Sequence, residues 1–157
     1  MPSSPLDTGS PTMTPEQRHQ IEADIQRLLT LYANLNDLRD WAEVASLYIA
    51  DGVMVRPVPG TAPIQGREAI LASFLARPAH RRTKHVACNL AVDVVSPTQA
   101  AAYSAYVIYY GTQDDSHPLP LLDNTPPVLC EFNDELVLTA EGWRFARRHG
   151  QPLFRTA

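Results

Sequence analysis

Two hydrophobic periodicities divide the chain near residue 80. Before it, apolar positions recur at helical spacing; after it, they alternate. Thr14-Pro15-Glu16-Gln17 reads as a capping box with proline at the first helical position. Ile21, Ile25, Leu28, Leu29, Tyr32 and Leu35 then form one stripe, which predicts an amphipathic helix ending near residues 36–38. A second helix is predicted from Asp40, with Glu43 completing its capping box and Trp41, Val44, Ala45 and Tyr48 as its apolar face. Asp51-Gly52 is a turn signal that stops it, and Val53 to Val55 reads as a short strand closed by Pro57 and Pro59. Gly66 opens a third helix, Arg67 to Arg77, whose apolar face is Ile70, Leu71, Phe74 and Leu75.

From Thr83 the period becomes 2. Thr83–Val95, Ala100–Tyr110, Val128–Leu138 and Trp143–Arg148 read as strands, with hairpin connections at Ser96-Pro97-Thr98 and Ala140-Glu141-Gly142. Between them, Gly111 to Pro127 is a long segment rich in Pro, Asp and Asn; a connection of that length points to a lid, an interface arm or a mobile segment. Helices first and antiparallel strands afterwards is the α+β pattern, with helices packed on one face of a curved sheet. Residues 1–13 are polar and broken by four prolines or glycines, which predicts a disordered tail ahead of one domain spanning 14–157.

Composition narrows the functional classes. The 157 residues carry 13 Lys+Arg against 17 Asp+Glu, a net charge of −4, which argues against a dedicated nucleic-acid binder. The basic run His80-Arg81-Arg82-x-Lys84 reads as a solvated strand start. No apolar run is long enough to span a bilayer, and the N-terminus lacks the basic and apolar regions of a signal peptide. Cys88 and Cys130 lie far apart and form no metal or redox motif, so a reducing, cytoplasmic location is expected. His19, His80, His117 and His149 show no metal-ligand spacing, and the chain has no phosphate-binding glycine loop and no nucleophile elbow. Neither metal nor organic cofactor is expected.

Several residues stand out as candidate chemistry. By strict alternation His85, Ala87, Asn89 and Ala91 share one face of their strand, and Val86, Cys88, Leu90 and Val92 the other. The second face is apolar, which makes Cys88 a buried, inert thiol; the first combines small side chains with an imidazole and an amide, as a ligand-facing wall would. Extending the first helix's stripe lands on Asn36, with Asp37 roughly 100° away; Asp40 is an N-cap. Tyr32 sits on the buried stripe. Alternation groups Arg148 with Arg144, and Arg147 with Trp143 and Phe145, leaving open which arginine faces inward. Tyr103, Tyr106, Tyr109 and Tyr110 share one strand, lining either a pocket or an oligomer interface.

Five segments together resemble the SnoaL-like branch of the nuclear transport factor 2 (NTF2)-like superfamily. They are Tyr32-Ala33-x-x-x-Asp37-x-Arg39-Asp40-Trp41, Leu47-Tyr48-x-x-Asp51-Gly52-Val53, Gln65-Gly66-Arg67-Glu68-Ala69-Ile70, Thr83-Lys84-His85-x-x-x-Asn89 and Gly142-Trp143-Arg144-Phe145-Ala146-Arg147-Arg148. The resemblance covers residues 18 to 150. It implies a cone-shaped α+β barrel enclosing a pocket between a curved antiparallel sheet and the N-terminal helices. In scytalone dehydratase-like and bile-acid dehydratase-like members, an Asp at the end of the first helix pairs with a His at a strand start; Asp37 and His85 match those positions, Tyr32 matches a tyrosine, and Arg147 or Arg148 an arginine. The resemblance thus implies Asp37, His85, Tyr32 and Arg148 as catalytic residues, with Asn89, Tyr106, Trp41 and Arg147 as substrate contacts. Where some members carry a further Asp or His, the strand from Ala100 to Tyr110 offers only Ser104 and tyrosines. The implied activity is general-base β-elimination of water from a small hydrophobic cyclic or polycyclic substrate, without cofactor. An isomerase or cyclase using the same pocket, and a non-catalytic binding or assembly protein, are the alternatives. Relatives imply a homo-oligomer, dimer or trimer.

Overall fold

The computed structural model describes residues 13–154; the expected tail, Met13 excepted, lies outside the described residues. Helix α1 runs from Pro15 to Leu38, with the capping box reciprocal: Gln17 N–H donates to the Thr14 hydroxyl, and Thr14 N–H to the Gln17 side chain. It ends at Arg39, whose left-handed φ of 61° turns the chain into α2 (Trp41–Ser46), capped by Asp40. Strands β1 (Tyr48–Val55) and β2 (Ile64–Gln65) precede α3 (Arg67–Leu75). Long strands β3 (Arg81–Ser96), β4 (Gln99–Thr112), β6 (Val128–Thr139) and β7 (Gly142–Pro152) follow, with the two-residue β5 (Leu121–Leu122) set between β4 and β6. Among the described residues no helix is long and apolar enough to cross a membrane.

The sheet order is β2-β1-β7-β6-β4-β3, with β5 attached to the end of β4. The two ends of the path do not pair, so the sheet curves around the helices without closing into a barrel. It is also mixed rather than purely antiparallel, because β1 runs parallel to β7. α1, α2 and α3 bury Ile25, Leu29, Val44, Ile70 and Phe74 against Tyr48, Met54, Leu136 and Phe145 of the sheet.

The second helix is shorter than its sequence pattern suggests. Tyr48 is fully buried, as expected, but as the first residue of β1, and Asp51-Gly52 lies within that strand. A bulge absorbs the pair: Tyr48 faces Phe145 and Val53 faces Arg147 across the parallel ladder. A Cβ on Gly52 would lie 3.1 Å from the Ile49 carbonyl and 3.2 Å from that of Phe145, so glycine here permits close strand approach rather than a turn. Parallel pairing with the last strand is a long-range event that local composition does not encode.

Two further bulges reverse the alternation read from the sequence. In β3 the register slips between Cys88 and Ala91, and Asn89 adopts a left-handed φ of 50°. Thr83, His85 and Ala87 are the more buried positions before the slip; Leu90, Val92 and Val94 are after it, with Ala91 and Asp93 exposed. Val86 is therefore exposed and Cys88 only partly buried, its thiol reaching the Ala105 carbonyl at 3.5 Å. In β7 the slip falls between Phe145 and Arg147, which puts Trp143, Phe145, Arg148 and Gly150 all on the buried side. A bulge inserts one residue and shifts every later side chain to the other face.

Candidate active site

The C-terminal end of α1 passes the start of β3, and there Asp37 and His85 meet. His85 Nδ1 lies 2.6 Å from Asp37 Oδ1, and the His85 backbone N–H donates to both carboxylate oxygens at 3.1 and 3.0 Å. The Thr83 hydroxyl donates to Oδ1 at 3.2 Å, and Lys84 Nζ stands 3.1 Å from Oδ2. An ionised carboxylate only accepts, so the neutral imidazole must carry its proton on Nδ1. Nε2 is then left with a free lone pair. Burial alone would raise the Asp37 carboxyl; the His85 side-chain and backbone N–H groups, with Lys84, outweigh it and hold the carboxyl below its ordinary value.

Asn36 and Asp37 both serve, in different directions. Asn36 continues the buried stripe, donating to the Tyr32 carbonyl at 3.0 Å and accepting from Arg77 at 3.3 Å. Asp37, about 100° around the helix, faces the strand crossing there. The helical period located the core-facing residue and could not locate β3.

A cavity of about 270 Å³ opens beside this pair. Its walls include His85, Thr83, Tyr32, Asn36, Met54 and Phe132. Trp41 also lines it, stacked on Phe74 with ring centroids 5.3 Å apart. Among the described residues, the Tyr32 hydroxyl has only the Met54 sulfur, at 3.9 Å, as a partner, which leaves it available to a ligand. Four arginines complete the lining: Arg39, Arg56, Arg77 and Arg81. Arg81 belongs to the basic run that reads as solvated; instead it packs 5.6 Å from the Tyr110 ring and pairs with Asp123 at 2.9 Å. Asp123 follows β5, so the long Pro-rich segment folds back along β4 and anchors beside the cavity.

The other expected residues separate. Asn89 is exposed at its bulge and lies outside the cavity lining, because the slip carries it off the His85 face. Arg147 lies opposite Val53 and Glu135 on the less buried side of β7, also outside the lining. Tyr106 is buried edge-on to His85, centroids 6.2 Å apart, and its hydroxyl donates to the Leu29 carbonyl at 3.2 Å. Arg148 points inward but sits behind the cavity wall. It is fully buried, stacks 4.3 Å from the Tyr32 ring and 4.1 Å from the Phe132 ring, and bonds Asp134 at 2.6 Å. Burial works against the Arg148 charge, but Asp134 and the surrounding tyrosines outweigh it and hold the proton more tightly. Burial pushes the Asp134 carboxyl up to about 6, against the pull of Arg148. The 2.6 Å contact to a guanidinium makes the two a buried ion pair.

Asp134 was missed by the motif reading, yet the strand pattern holds a signal for it. Cys130, Phe132 and Leu136 alternate as buried positions, and Asp134 falls in phase with them. A carboxylate on the apolar face of a strand stays charged there only with a partner, which points to a buried cation or hydrogen-bond donor beside it. Among the described residues, no group of three or more His, Cys, Asp or Glu is placed to hold a metal ion.

An open curved sheet wrapped on three helices around a side cavity, with an Asp–His pair on its wall, defines an NTF2-like α+β protein. The sequence profile of the SnoaL-like domain matches residues 17–149, and the chain belongs to that family. No curated protein gives a sequence match. Solved structures agree on the fold. A scytalone dehydratase-like protein from Novosphingobium aromaticivorans superposes with a TM-score of 0.76 at 20% identity, covering 91% of each chain. An NTF2-like protein with a cystatin-like fold from the same organism gives 0.69 at 21%, covering 90% of this chain and 88% of that one. A protein from Catenulispora acidiphila, solved in complex with S-DNPA, gives 0.66 at 24%, covering 85% and 94%.

The depressed Asp37 carboxyl carries a pH dependence of stability. A group whose folded value lies below its unfolded one, about 3.9 for Asp, contributes stability that is present above the unfolded value and lost as pH falls through the folded one. Asp37→Asn is therefore expected to be less stable than wild type at neutral pH, with the difference shrinking below about pH 4. Urea unfolding of both proteins at several pH values checks this. A difference independent of pH would show that the carboxylate charge does not hold α1 to β3.

Proposed function

We propose that this protein is a cofactor-independent lyase of the dehydratase type, removing water from a small cyclic alcohol. The observation that carries the reading is the 2.6 Å Asp37–His85 contact beside a largely apolar cavity. In the proposed reaction His85 Nε2 removes a proton from carbon adjacent to a carbonyl or comparable acceptor. Asp37 orients the ring and stabilises the imidazolium that forms. The Tyr32 hydroxyl donates to the developing oxyanion or to the departing hydroxyl. The electron pair of the broken C–H bond forms the new double bond, the β C–O bond breaks, and the hydroxide leaves as water with the proton that His85 took from carbon, which restores the neutral imidazole.

The geometry favours this over the reading in which a carboxylate is the base, as an isomerase of this pocket class would use. Both Asp37 oxygens are already engaged by Thr83, Lys84 and the two His85 N–H groups. Using Asp37 as the base would require breaking charge-assisted hydrogen bonds that are worth more than neutral ones. Arg148 acts in this scheme as a positioning residue, fixing the Tyr32 ring from behind.

A β-hydroxy tetralone, whose loss of water yields a naphthol, provides the test. The protein is expected to accelerate naphthol formation, followed by absorbance, and Tyr32→Phe to slow it. No acceleration over buffer across a panel of one- and two-ring β-hydroxy ketones, with and without a ring carboxylate, would overturn the dehydratase reading.

A further inference from the structure

The charge around the cavity is lopsided. Among the described residues, four arginines line it and no Asp or Glu does, in a protein whose net charge is −4. Arg81 has Asp123; among the described residues, no carboxylate stands within ion-pair distance of Arg39, Arg56 or Arg77. These three are instead held by aromatic faces, with backbone carbonyls accepting from Arg39 and Arg56 and a side-chain amide from Arg77. Trp41 and Phe74 are stacked; the Arg77 guanidinium lies 5.2 Å from the first ring and 4.5 Å from the second, with Arg39 5.1 Å from Trp41 and Arg56 5.9 Å from Phe74. Arg39 donates to the Pro78 and Arg81 carbonyls, Arg56 to that of Ser73, and Arg77 to the Asn36 side chain.

Stacking on a ring holds a guanidinium without consuming its in-plane N–H donors. Each guanidinium has five, and Arg77 uses one, at 3.3 Å. The Arg56 Nε is buried without a partner. Burial, with Arg56 and Arg39 nearby, pulls the Arg77 guanidinium below its ordinary value. Like charges gathered beside a partly desolvated cavity, with donors free, are an unfavourable arrangement until an anion arrives.

We infer that the substrate is an organic anion: a one- or two-ring apolar body bearing a carboxylate, which Arg56 and Arg77 hold beside the Trp41–Phe74 stack while the ring system lies against His85. The size agrees with a small ligand, since about 270 Å³ lies just below the roughly 300–1,000 Å³ of pockets that take drug-sized molecules. The inference rests on the cavity being the substrate site and adds to the proposed chemistry a recognition element on the side of Arg56 and Arg77.

Naphthoate and naphthol share one ring body and differ in charge at neutral pH, so their affinities, measured by calorimetry, isolate the anion. Naphthoate is expected to bind the wild-type protein at least about 10-fold more tightly, the size of one charge-assisted contact. Arg77→Gln and Arg56→Gln, each checked for folding by circular dichroism, are expected to lose most of that preference. Raising the ionic strength from about 0.01 M to about 1 M should narrow the gap in the wild type, which provides a second reading if a variant fails to fold. Equal affinity for both probes, no binding of naphthoate, or a preference that survives both substitutions would overturn the inference. Equal affinity would leave the His85 chemistry standing. Loss of that chemistry with the naphthoate preference intact would instead count against the dehydratase reading alone.

Discussion

His85→Ala is expected to reduce turnover by about 10²–10⁴-fold, the range over which a positioned proton-transfer group contributes. The expectation follows from the hydrogen-bond inventory of one ring. Asp37 accepts the Nδ1 proton, so the neutral ring offers a lone pair only at Nε2, and His85 lines the cavity. No other imidazole lines it, and a guanidinium offers only donors and no lone pair to take a proton. Binding should be far less affected, because the ring contributes only one part of a wall that Tyr32, Trp41, Met54 and Phe132 share. Asp37→Asn should slow turnover by a comparable order. An amide oxygen can still accept from Nδ1, but it supplies no charge to stabilise the imidazolium, and its NH₂ group must face donors from Thr83, Lys84 or the His85 backbone. Steady-state kinetics of the two variants checks both effects. A carboxylate base would instead make Asp37→Asn far more damaging than His85→Ala.

Asp134→Leu is expected to destabilise the fold by about 3–5 kcal/mol, the cost of leaving one buried charge uncompensated. Arg148 is fully buried, and Asp134 is 3% exposed. Among the described residues, their 2.6 Å contact is the only hydrogen bond the guanidinium makes, and its Nε and second terminal nitrogen are buried without partners. The rings of Tyr32, Phe132 and Phe145 surround it, 4.1 to 4.9 Å from its centre, and stabilise a cation far less than an ionised carboxylate does. The double substitution Asp134→Leu/Arg148→Met should recover most of the loss, because apolar side chains of similar volume commonly replace a buried ion pair at little cost. Urea unfolding midpoints at constant m-value measure both. A single variant as stable as wild type would show that the pair is not ionised in the folded protein. Because Arg148 backs the Tyr32 ring, the double variant should also bind ligand less well than its stability suggests.

Much of this fold was legible in the residues. Thr14 and Gln17 marked the start of α1, Asp40 capped α2, Gly66 preceded α3, and the change of period near residue 80 announced four long strands. What escaped was non-local. The parallel pairing of β1 with β7 decides that Tyr48 begins a strand and that Gly52 passes close to Phe145, and nothing between residues 41 and 55 contains that information. The two bulges escaped for a related reason. Ala146 gives no sign of a bulge on sequence, and Asn89, although disfavoured in strands and tolerant of a left-handed φ, does not by itself mark one; yet one inserted position in each strand reverses the inward face. That reversal removes Asn89 from the cavity and places Arg148, rather than Arg147, on the buried side.

The candidate site divides along the same line. Asp37 and His85 were reached by resemblance, whereas helical periodicity pointed to Asn36; each lies where its own argument placed it, since one faces β3 and the other the core. The arginine-lined side of the cavity was invisible because its members come from four separate places: the α1 cap, the end of β1, the residues after α3 and the start of β3. Only Arg81 lay in a recognisable basic run, and the rest gather through folding alone.

Proton abstraction by His85 is the centre of the account, and hydrogen–deuterium exchange at carbon reads it without requiring a leaving group. A two-ring ketone with no β-hydroxyl, incubated with the protein in D₂O, would be followed by NMR for deuterium at the carbon beside the carbonyl. The account predicts exchange with wild-type protein, slowed about 10²-fold or more in His85→Ala. Exchange as fast in His85→Ala as in wild type would contradict it.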